Sequence, residues 1–165
     1  MAEERVVVVD ENNEVIGAQT RSFVRAQHLC HREVFVFVFN SRGELHIQER
    51  TMTKDVYPGC YDLAVGGVVD EGEEYDEAAA RELKEEFGIA GIKLTPRFHF
   101  YYQDSACRLW GKAYTCLWEG KIVPQPEEVA DVIMDRPEHV LANTDFRPYT
   151  PDSLLALKKL MELNQ

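Results

Sequence analysis

The stretch GGVVDEGEEYDEAAARELKEEFGI, residues 66–89, passes from a glycine-broken extended segment into a helix. Between about Glu74 and Phe87 the residues Ala79, Leu83 and Phe87 recur every four positions, the spacing of a buried helical stripe. Gly88 supplies the C-terminal stop. Glu82, Glu85 and Glu86 are related by three and four positions, so three carboxylates project from one face. Like charges at that spacing cost a bare helix ~0.2–0.5 kcal/mol per pair. With Leu83 and Phe87 anchoring the opposite side, these carboxylates cannot spread apart freely. Hard oxygen ligands at this density suit Mg²⁺ or Mn²⁺ rather than zinc. Taken alone, a Glu-rich helix face reads equally well as solvated surface. Gly66-Gly67 adds a place where a backbone carbonyl can approach a cation with no Cβ in the way.

The charge of the whole chain converges on the same segment. The 165 residues carry 18 basic and 29 acidic side chains, a formal charge of −11. From Asp70 to Gly88 nine acidic residues face only Arg81 and Lys84, so seven of the eleven excess charges lie there. Carboxylates concentrated in this way are often balanced by a cation. An acidic chain repels phosphate backbones and anionic lipid, which argues against nucleic-acid or membrane partners. No apolar run approaches the roughly 20 residues that span a bilayer. The polar start Met1-Ala2-Glu3-Glu4-Arg5 is unlike a signal peptide, so the chain reads as cytoplasmic. Cys30, Cys60, Cys107 and Cys116 form no CxxC pair and read as reduced thiols.

Outward from the helix, the sequence reads as one mixed α/β domain over residues 1–165. Val6–Val9 and Glu14–Gly17 suggest an opening hairpin, and a short helix fits between about Thr20 and His31. Val34–Phe39 is apolar on both faces, as a strand covered on both sides would be. Glu44–Arg50 alternates as the returning strand, followed by a loop, Thr51–Gly59, and an extended Asp62–Val69. Further strands are expected over Ile92–Tyr102, Leu109–Trp118 and Val129–Met134. One helical turn is expected at Pro137–Leu141, and a closing helix from Pro151 to about Leu163 with proline at an early position. The aromatics Phe98, Phe100, Tyr101, Tyr102 and Trp110 read mainly as strand core, with base stacking as the alternative.

From Gly67 the spacing is Gly67-x5-Glu73-x7-Arg81-Glu82-Leu83-x-Glu85-Glu86-x-Gly88-Ile89, nine fixed positions over 23 residues. It resembles the complete Nudix box, GX5EX7REUXEEXGU with U apolar, without departure. Val6–Gly17, His31–Gly59 and Thr150-Pro151-Asp152-Ser153-Leu154 are further similar to the bacterial YfcD-like branch, itself akin to isopentenyl-diphosphate isomerases. The resemblance implies a Nudix α/β/α sandwich with a mixed sheet. It also implies Mg²⁺-dependent hydrolysis (Mn²⁺ as substitute) of a small nucleoside-diphosphate-type metabolite, in a fold that accommodates a homodimer. By the motif, Glu82, Glu85 and Glu86 are the metal ligands, with the Gly66 carbonyl an addition. Glu73 and Arg81 become a structural ion pair, while Gly67, Gly72 and Gly88 serve backbone geometry.

A carboxylate must orient or deprotonate the attacking water. Members of this family place it differently: Glu85 is one candidate, and Glu127 or Glu128 in the loop before Val129 another. Read from composition alone, Gln125-Pro126-Glu127-Glu128 is an ordinary surface loop. Arg50 and Lys54 match positions that contact the diphosphate in isomerase-like relatives. Isomerase activity itself is disfavoured, because Gly66 and Val68 stand where those enzymes carry a cysteine and a histidine. His31 matches one isomerase metal histidine but stays outside the expected site. A non-catalytic nucleotide sensor is the third reading, and the intact glutamate set argues against it.

Overall fold

The computed structural model describes residues 3–164. Its nine strands join in one mixed sheet. They are β1 (Arg5–Val9), β2 (Val15–Thr20), β3 (His31–Phe39), β4 (Leu45–Arg50), β5 (Tyr61–Asp62), β6 (Val65–Val68), β7 (Thr95–Gln103), β8 (Arg108–Leu117) and β9 (Val129–Asp135). The helices are α1 (Arg21–Ala26), α2 (Tyr75–Phe87), α3 (Pro137–Ala142) and α4 (Pro151–Leu163). β3 lies at the centre, antiparallel to β1, β4 and β6 and parallel to β8 from His31↔Leu109 to Phe39↔Leu117. β9 pairs with β4, and β7 closes the far side against β8.

The apolar run of β3 explains the layering. Val34, Val36 and Val38 point to one face and pack with Ala78, Ala79, Leu83 and Phe87 of α2. Phe35 and Phe37 point to the other, against Ala156, Leu157 and Leu160 of α4 and Val140 of α3. Each such side chain contributes about 1.5–3 kcal/mol on burial, which makes α/β/α layering the stable arrangement. Phe37 is fully buried, and its truncation to Ala would cost about 3–5 kcal/mol.

Three expected elements differ from the sequence reading, the first being the strand expected over Ile92–Tyr102, which begins only at Thr95. The helix between Thr20 and His31 covers only Arg21–Ala26, capped by the Thr20 hydroxyl, which accepts from Phe23 N. His28, at φ +53°, turns the chain so that Cys30 is buried and His31 already opens β3. The extended Asp62–Val69 segment divides into β5 and β6, because β5 pairs with β4 while β6 crosses to β3. Helix α2 starts as expected at a capping box, in which the Glu74 side chain accepts from the Glu77 backbone and the Glu77 side chain from Glu74 N. It stops at Gly88 in the left-handed conformation, φ +69°. All four cysteines are free thiols. No helix among the described residues is long and apolar enough to cross a membrane.

Candidate active site

β6 and α2 form the site through two close approaches. A Cβ on Gly66 would sit 2.0 Å from the Val34 carbonyl oxygen, so only glycine lets β6 lie this tightly against β3. A Cβ on Gly67 would sit 2.4 Å from Glu82 Oε1, so the missing side chain is the space that Glu82 occupies.

Glu86 is buried, and both its oxygens are held. Gly66 N donates to Oε2 at 3.1 Å, and Gln48 Nε2 donates to Oε1 at 3.3 Å. Gln48 is itself buried, with its Oε1 left without a partner. Burial and the neighbouring Glu82 push the Glu86 carboxyl well above the usual carboxylate range. Burial, opposed by Arg81 and reinforced by Glu85, raises Glu82 to about 7. Glu85 is half-exposed and accepts from Arg81 Nη1 at 3.3 Å.

Arg81 organises the rear of this group. It forks onto Glu73 through Nε at 2.8 Å and Nη2 at 3.0 Å, donates to the Val68 carbonyl at 3.1 Å, and reaches Glu82 at 2.9 Å. Glu73 also accepts from Asp70 N at 3.0 Å, which ties the loop between β6 and α2 to the helix. Among the described residues, no three His, Cys, Asp or Glu side chains converge on a single point. Glu82 and Glu85 turn toward Arg81, and Glu86 toward Gly66. Yet Glu82 and Glu86 stand close enough to oppose each other's ionisation. Arg81, the guanidinium on this face, is already paired with Glu73. Such a surplus of buried, hard oxygen donors fits a divalent cation.

The loop before β9 runs beside the end of α2. Val123 N donates to the Phe87 carbonyl at 2.9 Å and Gln125 N to that of Glu86 at 3.0 Å. Gly88 sits here, where an added Cβ would come within 3.1 Å of Val123 Cβ. Lys54 and Glu128, assigned from the sequence to separate roles, form a close ion pair. The hydroxyl of Thr51 donates to the Glu127 carbonyl at 3.2 Å, which fastens the 51–59 loop to the same segment. Lys54 lies near enough to Glu86 to favour its charged form. Arg50 is committed differently: Nη1 donates to Asp62 at 2.7 Å, while Nε and Nη2 both donate to the Val56 carbonyl.

Next to β6 opens a cleft with about 90 Å³ of room, bordered by His31, Glu33, Arg50, Asp62, Gly66, Gly67 and Asp152. Sequence reasoning missed Gln48, Glu33, Asp62 and Asp152. Gln48 occupies a polar position of an alternating strand, which reads as solvent-facing, but here both faces of β4 are covered. The aromatics divide: Phe100 is buried against Phe35, with ring centroids 5.0 Å apart, while Tyr101 is exposed and meets Trp110 edge-on.

A NUDIX domain model matches residues 30–154. The chain belongs to the Nudix family. It is 42% identical over 161 residues to the uncharacterised Nudix hydrolase YfcD of Escherichia coli K12, covering 98% of this chain and 88% of that one. The crystal structure of DR0079 from Deinococcus radiodurans is similar at TM-score 0.82 and 27% identity, over 94% of this chain and 98% of that one. The NUDIX domain of Shewanella oneidensis NrtR, in a cocrystal with ADP-ribose, shares the fold at TM-score 0.67 and 17% identity, over 89% and 100% of the two chains. As a Nudix hydrolase family member, the chain is read as an enzyme.

Proposed function

We propose that the protein is a divalent-cation-dependent pyrophosphohydrolase, using Mg²⁺ or in its place Mn²⁺, that cleaves the diphosphate bond of a small nucleoside-diphosphate-type metabolite. The observation that carries this reading is the crowding of buried Glu86 and largely buried Glu82 beside Gly66 and Gly67, where the guanidinium on Glu82 is already engaged by Glu73 and none reaches Glu86. A diphosphate-bridged nucleotide bound to the NrtR domain supports the substrate class.

Glu82, Glu85 and Glu86 would hold the cation, with the Gly66 carbonyl alongside. When bound, that cation neutralises the diphosphate, polarises its P–O bonds and acidifies a water. Gln48 and Gly66 N fix the Glu86 carboxylate in one orientation. Lys54 attracts the diphosphate, and Arg50 presents a guanidinium at the cleft wall while bracing Val56 and Asp62. A diphosphate that draws Lys54 away frees Glu128 to take a proton from the attacking water. Glu85, already half-exposed, is the second candidate for that role.

Release of phosphate or mononucleotide is measured with Mg²⁺ from nucleoside di- and triphosphates, dinucleoside polyphosphates, nucleotide sugars, NADH, FAD, coenzyme A and isopentenyl diphosphate. Turnover of a nucleoside-diphosphate compound that is lost in Glu86→Gln supports the proposal. Silence across the panel with nucleotide binding retained overturns it in favour of a sensor. Isomerisation of isopentenyl diphosphate would contradict the reading of Gly66 and Val68.

A further inference from the structure

The 51–59 loop borders the cleft as a strap whose tip is tied down through side chains. Among the described residues, no backbone–backbone hydrogen bond links residues 52–58 to another element. Asp55 instead pairs with Arg25 of α1 at 3.2 Å. The Val56 carbonyl accepts from Arg50 Nε at 3.1 Å and Nη2 at 2.8 Å. Tyr57 donates its hydroxyl to Asp104 in the turn between β7 and β8, and that hydroxyl rests 3.6 Å from Cys107 Sγ. Lys54 completes the series on Glu128. No residue from Thr51 to Cys60 is buried, so the strap can lift without opening the core.

The strap as it lies obstructs the proposed reaction in two ways. The cleft lined by Val56 and Tyr57 has about 90 Å³ of room, against the roughly 300–1,000 Å³ of sites that enclose a small molecule. The strap also occupies both cations expected to meet the diphosphate. Arg50 commits two nitrogens to the Val56 carbonyl, and Lys54, on the strap itself, is committed to Glu128. A bound diphosphate therefore competes with the strap for the same two side chains. Tyr57 is held differently. Its backbone is left-handed, φ +51°, which is rare for a bulky side chain. Strained residues persist where surrounding contacts hold them, and the hydroxyl bond to Asp104 is such a contact. Asp104 is a fixed post, accepting also from Ala106 N at 2.7 Å, Cys107 N at 2.9 Å and the Tyr102 hydroxyl at 2.7 Å.

We propose that residues 52–58 form a self-inhibiting strap, latched by Tyr57 on Asp104, that lifts when a nucleoside-diphosphate compound binds. The proposal rests on the diphosphate-hydrolase reading, since it is the diphosphate that draws Arg50 and Lys54 away from their present partners. Tyr57 is a positioning residue: it touches no reacting atom and acts through the strap. Loss of the latch raises the fraction of protein that is competent to bind, so it strengthens binding. Loss of a merely structural hydrogen bond would weaken it.

Labelling of Cys107 by N-ethylmaleimide, followed peptide by peptide with mass spectrometry, reports lifting in the absence of any substrate. In Tyr57→Phe its rate is expected to rise about 10-fold, as the loss of one hydrogen bond to a charged group implies. The buried Cys30 and Cys116 should be unaffected. Asp104 keeps three donors in this variant, so the turn between β7 and β8 stays formed. Asp55→Ala cuts an exposed tie to Arg25 and should raise the Cys107 rate about 2-fold. An unchanged rate in either variant overturns the proposal, because a strap that lifts as a unit must respond to both ties. Equal acceleration at Cys30 and Cys116 would report general unfolding and overturns it too. With the substrate found by phosphate or mononucleotide release, KM is expected to fall in Tyr57→Phe by up to the same 10-fold. A rise in KM would mean that the ligand needs the strap closed, and contradicts the proposal. Because labelling is read without turnover, a failed hydrolase assay leaves this test of the strap standing.

Discussion

Two groups of carboxylates flank β6, and they are handled in opposite ways. On the α2 side, Glu82 and Glu85 share Arg81, whose strongest attachments go rearward to Glu73, while Glu86 takes only neutral donors, from Gly66 N and Gln48. On the cleft side, Asp62 has a dedicated guanidinium and a hydroxyl, and Glu33 has a histidine. The first group is left in charge surplus, a state that a cation relieves. The second is oriented by hydrogen bonds from His31, Arg50 and Thr150. The counter-charges around them set the two groups apart.

Glu86→Gln attacks that contrast at its strongest point. It keeps the shape of Glu86, replaces one of its two acceptor oxygens by an amide donor and removes one buried charge. Turnover is expected to fall by roughly 100-fold or more, while thermal stability holds or rises because a buried repulsion is gone. Steady-state kinetics beside a melting curve decide it; retained activity would erase the distinction between the two groups. Arg50→Ala strikes the second group instead. It strands the Asp62 carboxylate and the Val56 carbonyl, and should cost about 3 kcal/mol in urea unfolding. A loss no larger than that of an exposed ion pair would mean the cleft carboxyls need no counter-charge.

Gln48→Leu separates orientation from charge. It leaves every glutamate in place and removes the amide that donates to Glu86 Oε1 and to the Ala64 carbonyl. Mn²⁺ affinity is expected to fall by about 10-fold, in the range for partners that orient metal ligands, with the fold intact by circular dichroism.

The smallest effect is on pH dependence. Glu82, raised to about 7, binds a proton in the folded state that the unfolded chain has already released. Metal-free stability should therefore decline as pH rises from the ordinary carboxylate range through about 7. Mn²⁺ competes with that proton, so its affinity should weaken below pH 7 and level off above it. Melting temperatures with and without Mn²⁺ should diverge as pH increases; parallel curves would mean that Glu82 does not face the cation.

Much of the first group could be read directly from the sequence, because its parts lie within one helix and the turn before it. The four-residue stripe of Ala79, Leu83 and Phe87 fixes which way α2 faces, and that in turn places Glu82, Glu85 and Glu86. The covered strand Val34–Phe39 announces the three-layer architecture in the same local way. The second group has no such signature. Glu33, Asp62 and Asp152 come from three elements and meet only when β3, β5 and α4 are assembled. The spacing of Lys54 and Glu128 likewise says nothing of their ion pair, which depends on the 51–59 loop folding against the segment before β9. Alternation also misleads at Gln48, since it cannot distinguish a solvent-facing position from one buried on the second face of a doubly covered sheet.

The most direct measurement is a Mn²⁺ titration followed by electron paramagnetic resonance, on the unmutated protein and on Glu82→Gln and Glu86→Gln. Saturable binding by the unmutated protein, weakened by roughly 10-fold or more in each variant, is the result predicted here. Binding of equal strength in all three proteins would place the cation elsewhere and contradict the assignment of the α2 carboxylates.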